Sequence, residues 1–366
     1  MEEKLIIRNF GPIKDVTLNL RKINVFIGNQ GTGKSTVAKV YSVIKLSIQN
    51  FVSINNSNPE LIGLSSYSLE GLFNNNLANY ELGSYTEIDT YMRFELGDFY
   101  FEFINHKIFS NIESFQMLDF VNVEVYIPSY REVVVLVKDN LYALIQTETK
   151  LPQIFTKFGD MFQKAKNEIA SFDYKNILGV TYNYSNGKDL VTIKNNKQIP
   201  LNLASSAVNS GIPLLVVFDY LFYKRQKEIK LSKGFVAIIE EPELNCFPET
   251  QKKFVEYFSE KIATSNNSLL ITTHSPYILS SLNNLMYAYN VGTMDAGIHK
   301  NAVNEIIPIQ NWVKPDDVSC YLMKDGKAFS IKDDEGLIEA STIDSVSKEL
   351  NEAYDKIINI EIGMAQ

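Results

Sequence analysis

The run Gly28-Asn29-Gln30-Gly31-Thr32-Gly33-Lys34-Ser35 has the spacing G-x-x-x-x-G-K-[ST] of a phosphate-binding loop. Lys22-Ile23-Asn24-Val25-Phe26-Ile27 before it reads as a buried strand, and Thr36-Val37-Ala38-Lys39-Val40-Tyr41-Ser42 after it reads as the first turns of a helix. A strand feeding a glycine-rich turn and then a helix N-terminus aims several backbone N–H groups at one point, which suits a phosphate. Gly28, Gly31 and Gly33 let the chain curl without side-chain clashes, while Asn29, Gln30, Thr32 and Thr36 complete the cradle. Lys34 would neutralise β/γ oxygens, a catalytic contribution, and Ser35 would put its hydroxyl on Mg²⁺. A chance match is the alternative, and the correct flanks on both sides argue against it. The expected ligand is a nucleoside triphosphate, ATP, with Mg²⁺.

Two further segments fit the same chemistry. Gly234-Phe235-Val236-Ala237-Ile238-Ile239-Glu240-Glu241-Pro242-Glu243 is an apolar strand that delivers two carboxylates at its C-terminal edge, where ligands sit in open α/β sheets. Glu240 would hold Mg²⁺, directly or through water, and Glu241 would polarise an attacking water. A solvated acidic loop after a core strand is the plainer alternative. In Leu269-Leu270-Ile271-Thr272-Thr273-His274-Ser275-Pro276-Tyr277 a strand ends in a histidine held by a Ser-Pro stop. His274 could donate to a γ-phosphate or fix the lytic water, or simply be structural; its place after the other two elements favours the first. His106 and His299 have no such company.

These segments need a sheet to hold them, and 366 residues suffice for one large α/β domain with insertions or for two smaller ones. A hydrophobic content of 45% with 21% charged residues describes a chain able to fill a core. The net charge of −8 gives a nucleic-acid reading no help, although a local basic stripe can sit on an acidic protein. Cys246 and Cys320 have neither disulfide-framework nor zinc spacing. The charged start and the lack of a long apolar run predict no signal peptide, no membrane span and a cytoplasmic location.

Along the chain, residues 4–10 and 16–20 read as strands around a Gly11-Pro12 turn, and the helix after the loop is expected to reach about residue 49. The Asn-rich residues 50–82 read as loop or a loosely packed helical insertion. Residues 91–96 and 99–103 form an expected hairpin, followed by a strand at 121–127. Residues 139–171 have a helical pattern broken near Pro152, and 177–184 with 190–194 make a hairpin through Asn186-Gly187. A helix over 205–227 with a kink at Pro213 follows, then strand 235–239, helix 249–263 and strand 268–272. The tail is expected to hold an Asp-Gly hairpin at 321–331 and a closing amphipathic helix at 343–360. The expected segments are 1–49, the N-terminal β lobe with the phosphate loop; 50–130, insertion and strands; 131–232, a helical lobe; 233–295, an α/β core; and 296–366, hairpin and closing helix.

On the loop with Arg8-Asn9-Phe10-Gly11-Pro12-Ile13, on Ile238 through Leu244 followed by Pro248, and on Thr272-Thr273-His274-Ser275-Pro276, the chain resembles ABC-type ATPases of the RecF/SMC-like branch. It is similar to stand-alone ATPases related to the ATPase half of OLD-family proteins. Ile127-Pro128-Ser129-Tyr130-Arg131 also resembles a tract that such ATPases carry near the nucleotide. The resemblance implies an α/β P-loop fold, with an antiparallel N-terminal β lobe and a helical insertion lobe. It further implies a signature segment that closes over a partner subunit's ATP, best matched by Ala204-Ser205-Ser206-Ala207-Val208-Asn209. Ser205 would then meet a γ-phosphate bound on another chain, unless it is only a helix cap; Ala207 stands where glycine is usual. Arg8 and Asn9 would neighbour the base or ribose, or merely shape a turn.

The resemblance thus implies an ATPase that works as a homodimer through its ATP sites, or a larger assembly, and controls a separately encoded nuclease or toxin in anti-phage defence. A RecF-like DNA clamp is the second reading, with the basic stretch at residues 224–233 as its best surface; a transporter subunit fits poorly. The tail holds scattered acids but no clear Toprim opening, so a nuclease within this chain is not expected. Residues 50–82 and 139–171 are the expected partner contacts.

Overall fold

The computed structural model describes residues 3–57, 60, 64–112, 123–137, 151–227, 234–339 and 358. Its spine is a sheet of eleven strands in the order β6-β5-β4-β1-β2-β15-β14-β3-β13-β12-β7. One half is antiparallel: β1 (Glu3–Phe10), β2 (Ile13–Leu20), β4 (Thr86–Leu96), β5 (Phe99–Ile104) and β6 (Lys107–Ser110). The other is parallel: β3 (Ile23–Ile27), β7 (Val123–Ile127), β12 (Phe235–Glu240), β13 (Ser268–Thr273) and β14 (Val318–Lys324). The hairpin of β14 with β15 (Lys327–Ser330), turned by Asp325-Gly326 at positive φ, joins the halves, because β14 runs along β3 and β15 touches β2. This mixed sheet is the α/β fold with an antiparallel N-terminal lobe that the sequence predicts.

The parallel strands are largely apolar because helices cover both their faces. Val236, Ile238 and Leu270 point to one side, into a core with Val37, Val40 and Tyr41 of the helix Lys34–Ser57. Ala237, Ile239 and Ile271 point to the other, into a core with the helices Ser206–Lys227, Pro248–Ala263 and Pro276–Thr293. That second core also takes in the helix Gln153–Glu168 and a four-stranded antiparallel sheet, β8 (Ser171–Tyr174), β9 (Val180–Ser185), β10 (Lys188–Thr192) and β11 (Gln198–Pro200).

Several elements differ from expectation. The helix after the phosphate loop runs to Ser57, eight residues beyond the predicted end. Of the two readings of the Asn-rich stretch the helical one holds in part: it contains a helix, Leu69–Asn79, capped by Ser68, whose hydroxyl accepts from the Gly71 N–H. Asn76 is buried there and donates to Ser47, so its polarity is spent inside the fold and gives no sign of a loop. Residues Lys175–Leu178 are a short helix ended by Gly179 at φ 73°, and the second hairpin starts only at Val180. The helix Ser206–Lys227, expected over 205–227, starts one residue later and carries Pro213 in its interior. Its segment Ser206–Lys224 is, among the described residues, long and apolar enough to cross a membrane, but 67% of it is buried in the second core. In the sequence its apolar run is broken up by the interspersed Asn209, Ser210 and Asp219. Asp333, one of the tail's acids, accepts from the N–H groups of Glu335 and Leu337 and so shapes a turn. The closing helix predicted at 343–360, apart from 358, lies outside the described residues, as do residues 139–150 and most of the basic stretch at 224–233.

Candidate active site

Strand β3 ends at Ile27 and the helix starts at Lys34, so six residues make the turn between them. Gly28 is dictated by crowding: a Cβ there would run into the carbonyl oxygen of Met323 in β14. Gly33 combines φ 96° with Ile13 so close that a side chain could not fit, and it starts the helix through Val37 N–H to Gly33 O at 2.9 Å. Thr32 closes the turn by donating its hydroxyl to Asn29 O.

Residues 30–36 line a cavity of about 540 Å³, together with Gly11, Pro12, Tyr85, Glu241 and His274. Lys34 is buried at its base, donating to Gly28 O at 2.8 Å and Asn29 O at 2.9 Å. Burial lowers the Lys34 pKa, while Glu241 and Glu243 act in the opposite sense. Lys34 Nζ lies 3.4 Å from His274 Nδ1, and His274 Nε2 lies 3.5 Å from Glu241 Oε1. Three side chains distant in sequence thus form one line of contacts along the cavity wall.

Glu241 owes its position to its backbone. β12 ends at Glu240, and Glu241 turns out of the strand at φ 45°, a left-handed conformation that is strained for a side chain of this kind. Its N–H still bonds Thr272 O, and its carbonyl accepts from Arg131. Arg131 is fully buried, with its guanidinium spread over the carbonyl oxygens of Ser210, Pro128, Glu240, Glu241 and Pro242. Burial pushes its pKa down to about 10, against the pull of Cys246 and the three nearby glutamates. One side chain therefore ties the strand end to the helix that begins just after Ser205.

His274 is held by Glu243, whose Oε1 accepts from the Thr273 hydroxyl at 2.6 Å and the His274 N–H at 2.7 Å. Ser275 caps the next helix by accepting from Tyr277 N–H, and Pro276 fills its first turn.

The other expected site residues lie elsewhere. Gly28 and Asn29 sit behind the cavity wall and hold Lys34 through their carbonyls. Glu240 does not line the cavity: it is 3% exposed, and its carboxylate accepts from the Tyr126 hydroxyl at 2.6 Å and the Ser129 N–H at 3.2 Å. Ser205 is exposed and away from this cavity, and among the described residues its hydroxyl has no hydrogen-bond partner. Arg8 pairs with Asp15, and Asn9 donates to Asp89; neither reaches the cavity.

Sequence reasoning assigned no role to Glu243, Arg131 or Tyr85. The first two stand inside the Glu-Glu-Pro-Glu and Ile-Pro-Ser-Tyr-Arg tracts, so a signal was present. Tyr85 sits in no motif.

The phosphate cradle and its lysine fit a nucleoside triphosphate. For Mg²⁺, Ser35 and Glu241 both line the cavity, with no ready-made cluster of three or more His, Cys, Asp or Glu among the described residues. That suits an ion held largely by substrate phosphates and water.

Residues 104–279, just under half of the chain, match the family described as AAA ATPase domain. The match takes in Arg131, Glu241 and His274, and the phosphate loop precedes it. No curated protein matches the sequence. Among solved structures, the SMC head domain from Thermotoga maritima is 10% identical, covering 90% of this chain and 98% of its own at a TM-score of 0.40. The Smc head domain from Pyrococcus furiosus bound to the C-terminal domain of ScpA is 10% identical, with 96% and 99% covered and a TM-score of 0.42. The recombination mediator protein RecF with ATPrS is 11% identical, with 90% and 98% covered and a TM-score of 0.42. Glu241 and His274 of the stretch that matches an AAA ATPase domain meet a phosphate loop contributed from outside it, the arrangement of a P-loop enzyme that hydrolyses ATP.

Proposed function

We propose that this chain is a nucleotide-operated switch: it binds ATP in the cavity at the phosphate loop, closes as a homodimer over two such sites, and reopens on hydrolysis. The observation that carries this is the line of contacts Lys34–His274–Glu241 along the cavity wall. In this reading the backbone N–H groups of the loop bind the β- and γ-phosphates, and Lys34 swings from its own loop carbonyls to their oxygens. Glu241 is the group placed to take a proton from an attacking water, and His274 orients that water or the γ-phosphate. Mg²⁺, when bound, neutralises charge developing on the phosphates; Ser35 would hold it, with Glu240 acting at most through water.

Dimer closure rests on Ser205, exposed just ahead of its helix with no partner for its hydroxyl among the described residues, where a partner's γ-phosphate would meet both the hydroxyl and the helix N-terminus. Exposed apolar residues stand beside each motif: Leu203 at 71%, Phe247 at 78% and Tyr277 at 52% exposure. A second copy of the chain would cover them on closing. The output then passes to a separately encoded effector in the cytoplasm, and anti-phage defence is the setting the family resemblance favours. Glu241→Gln should lower ATP turnover about 10²- to 10⁴-fold while leaving ATP affinity intact, measured by phosphate release and equilibrium binding. Normal turnover in that variant would remove Glu241 from the chemistry.

A further inference from the structure

We infer that Glu124 is a proton-operated joint between the helix that follows the phosphate loop and the helix Gln153–Glu168. On losing its proton the carboxylate draws Lys157 round the edge of the sheet, and on regaining it the joint lets go. Glu124 lies on β7, the edge strand of the large sheet among the described residues. Val125 and Ile127 enter the second core, so Glu124 and Tyr126 face the first. Because β7 is an edge, the helix Gln153–Glu168 reaches both faces: Phe158 and Phe162 join the second core, while Ile154 joins the first. Lys157 brings its Nζ to 5.9 Å from the centre of the Tyr80 ring, beside the carboxylate.

Three elements meet at Glu124. Ser42, on the helix Lys34–Ser57, donates to Glu124 Oε1 at 2.5 Å. Its hydroxyl also lies 2.7 Å from that of Tyr80, which ends the helix Leu69–Asn79. A hydroxyl has one proton to give. With Glu124 ionised, Ser42 gives that proton to the carboxylate and takes one from Tyr80; with Glu124 protonated, the order reverses. Both states are met with every heavy atom in place, which a reversible titration inside a core requires. The other charges nearby are already committed. Lys45 pairs with Glu3 at 2.7 Å, Glu3 also accepts from Tyr41, and Tyr126 donates to Glu240. β12 sets Val236 beside Glu124 and brings no charge. Among the described residues, Glu124 is the one charge that acts on Lys157. Burial raises the Glu124 pKa to about 7, against the pull of Ser42, Lys157 and Lys45. Burial also raises Tyr41, Tyr80 and Tyr126, and pushes Tyr130 up to about 12, so these phenols keep their protons. A carboxyl whose pKa is raised by folding favours the fold when protonated. Its contribution is complete below the ordinary carboxylate value and is lost as pH rises to about 7.

The test is urea unfolding of wild type, Glu124→Gln and Lys157→Met from about pH 5 to 9. Wild type should lose stability as pH rises to about 7 and then level off, and Glu124→Gln should lack that loss. Lys157→Met should carry the loss about half to one pH unit higher, because the charge favouring ionisation is gone. Labelling of Lys157 by an amine-reactive ester, read by mass spectrometry, should fall in wild type relative to Glu124→Gln as pH passes through neutrality. Matching pH curves for wild type and Glu124→Gln, or a labelling ratio that ignores pH, would overturn the joint. If Glu124→Gln does not fold, a loss that ends at the same pH in wild type and Lys157→Met would overturn it as well.

Discussion

Glu240 and Glu241 are joined by one peptide bond, yet their surroundings are opposite. Glu240 completes β12 and points inward, where Tyr126 and Ser129 satisfy its carboxylate. Glu241 leaves the strand in a left-handed turn and faces the cavity and His274. The turn, more than the side chain, separates the two roles: a residue continuing the strand would point away from its neighbour but could not reach the phosphate loop. Arg131 holds the turn by binding the carbonyls on both sides of it, and the same guanidinium reaches Ser210 on the helix that Ser205 begins. A displacement of that helix by a second subunit would therefore be felt at Glu241 through a contiguous hydrogen-bonded path.

Breaking the anchor should have the larger effect. Arg131→Met leaves several buried carbonyls without a donor, each worth about 1–3 kcal/mol, against relief from burying a charge. A net loss of roughly 3 kcal/mol is expected in denaturant unfolding, with turnover falling as well because Glu241 loses its turn. Arg131→Lys should not rescue it, since one ammonium cannot span the fan of carbonyls. A variant of wild-type stability would mean that the turn holds itself. A smaller effect of opposite sign sharpens the contrast. Glu241→Gly should gain about 1 kcal/mol of stability by relieving the left-handed strain while abolishing turnover, whereas Glu240→Gly should only destabilise. Loss of stability at both positions would show that the turn carries no strain.

Most of the site could be read in the residue order because backbone geometry imposes it. The phosphate loop needs glycines where β14 and Ile13 press on it, and the apolar runs of β3, β12 and β13 follow from burial on both faces. Ser275-Pro276 likewise marked a helix start by its capping chemistry. What stayed hidden depends on long-range packing. Asn76 looks like a loop residue until Ser47 is beside it, and Arg131 looks like a surface charge until five carbonyls surround it. Tyr85 is one of 20 tyrosines, and only the pairing of β1 with β4, which brings the start of β4 beside Phe10, sets it over Gly11. The burial of Glu240 behind Tyr126 could be read only once β7 was known to pair with β12.

If ATP closes two copies of the chain over a shared site, the mass in solution of Glu241→Gln must rise with ATP and Mg²⁺. Mass photometry or light scattering should show a dimer or larger assembly only with nucleotide, and Ser205→Arg in the same background should abolish it while ATP still binds. ATP binding with no change in mass would contradict the shared site.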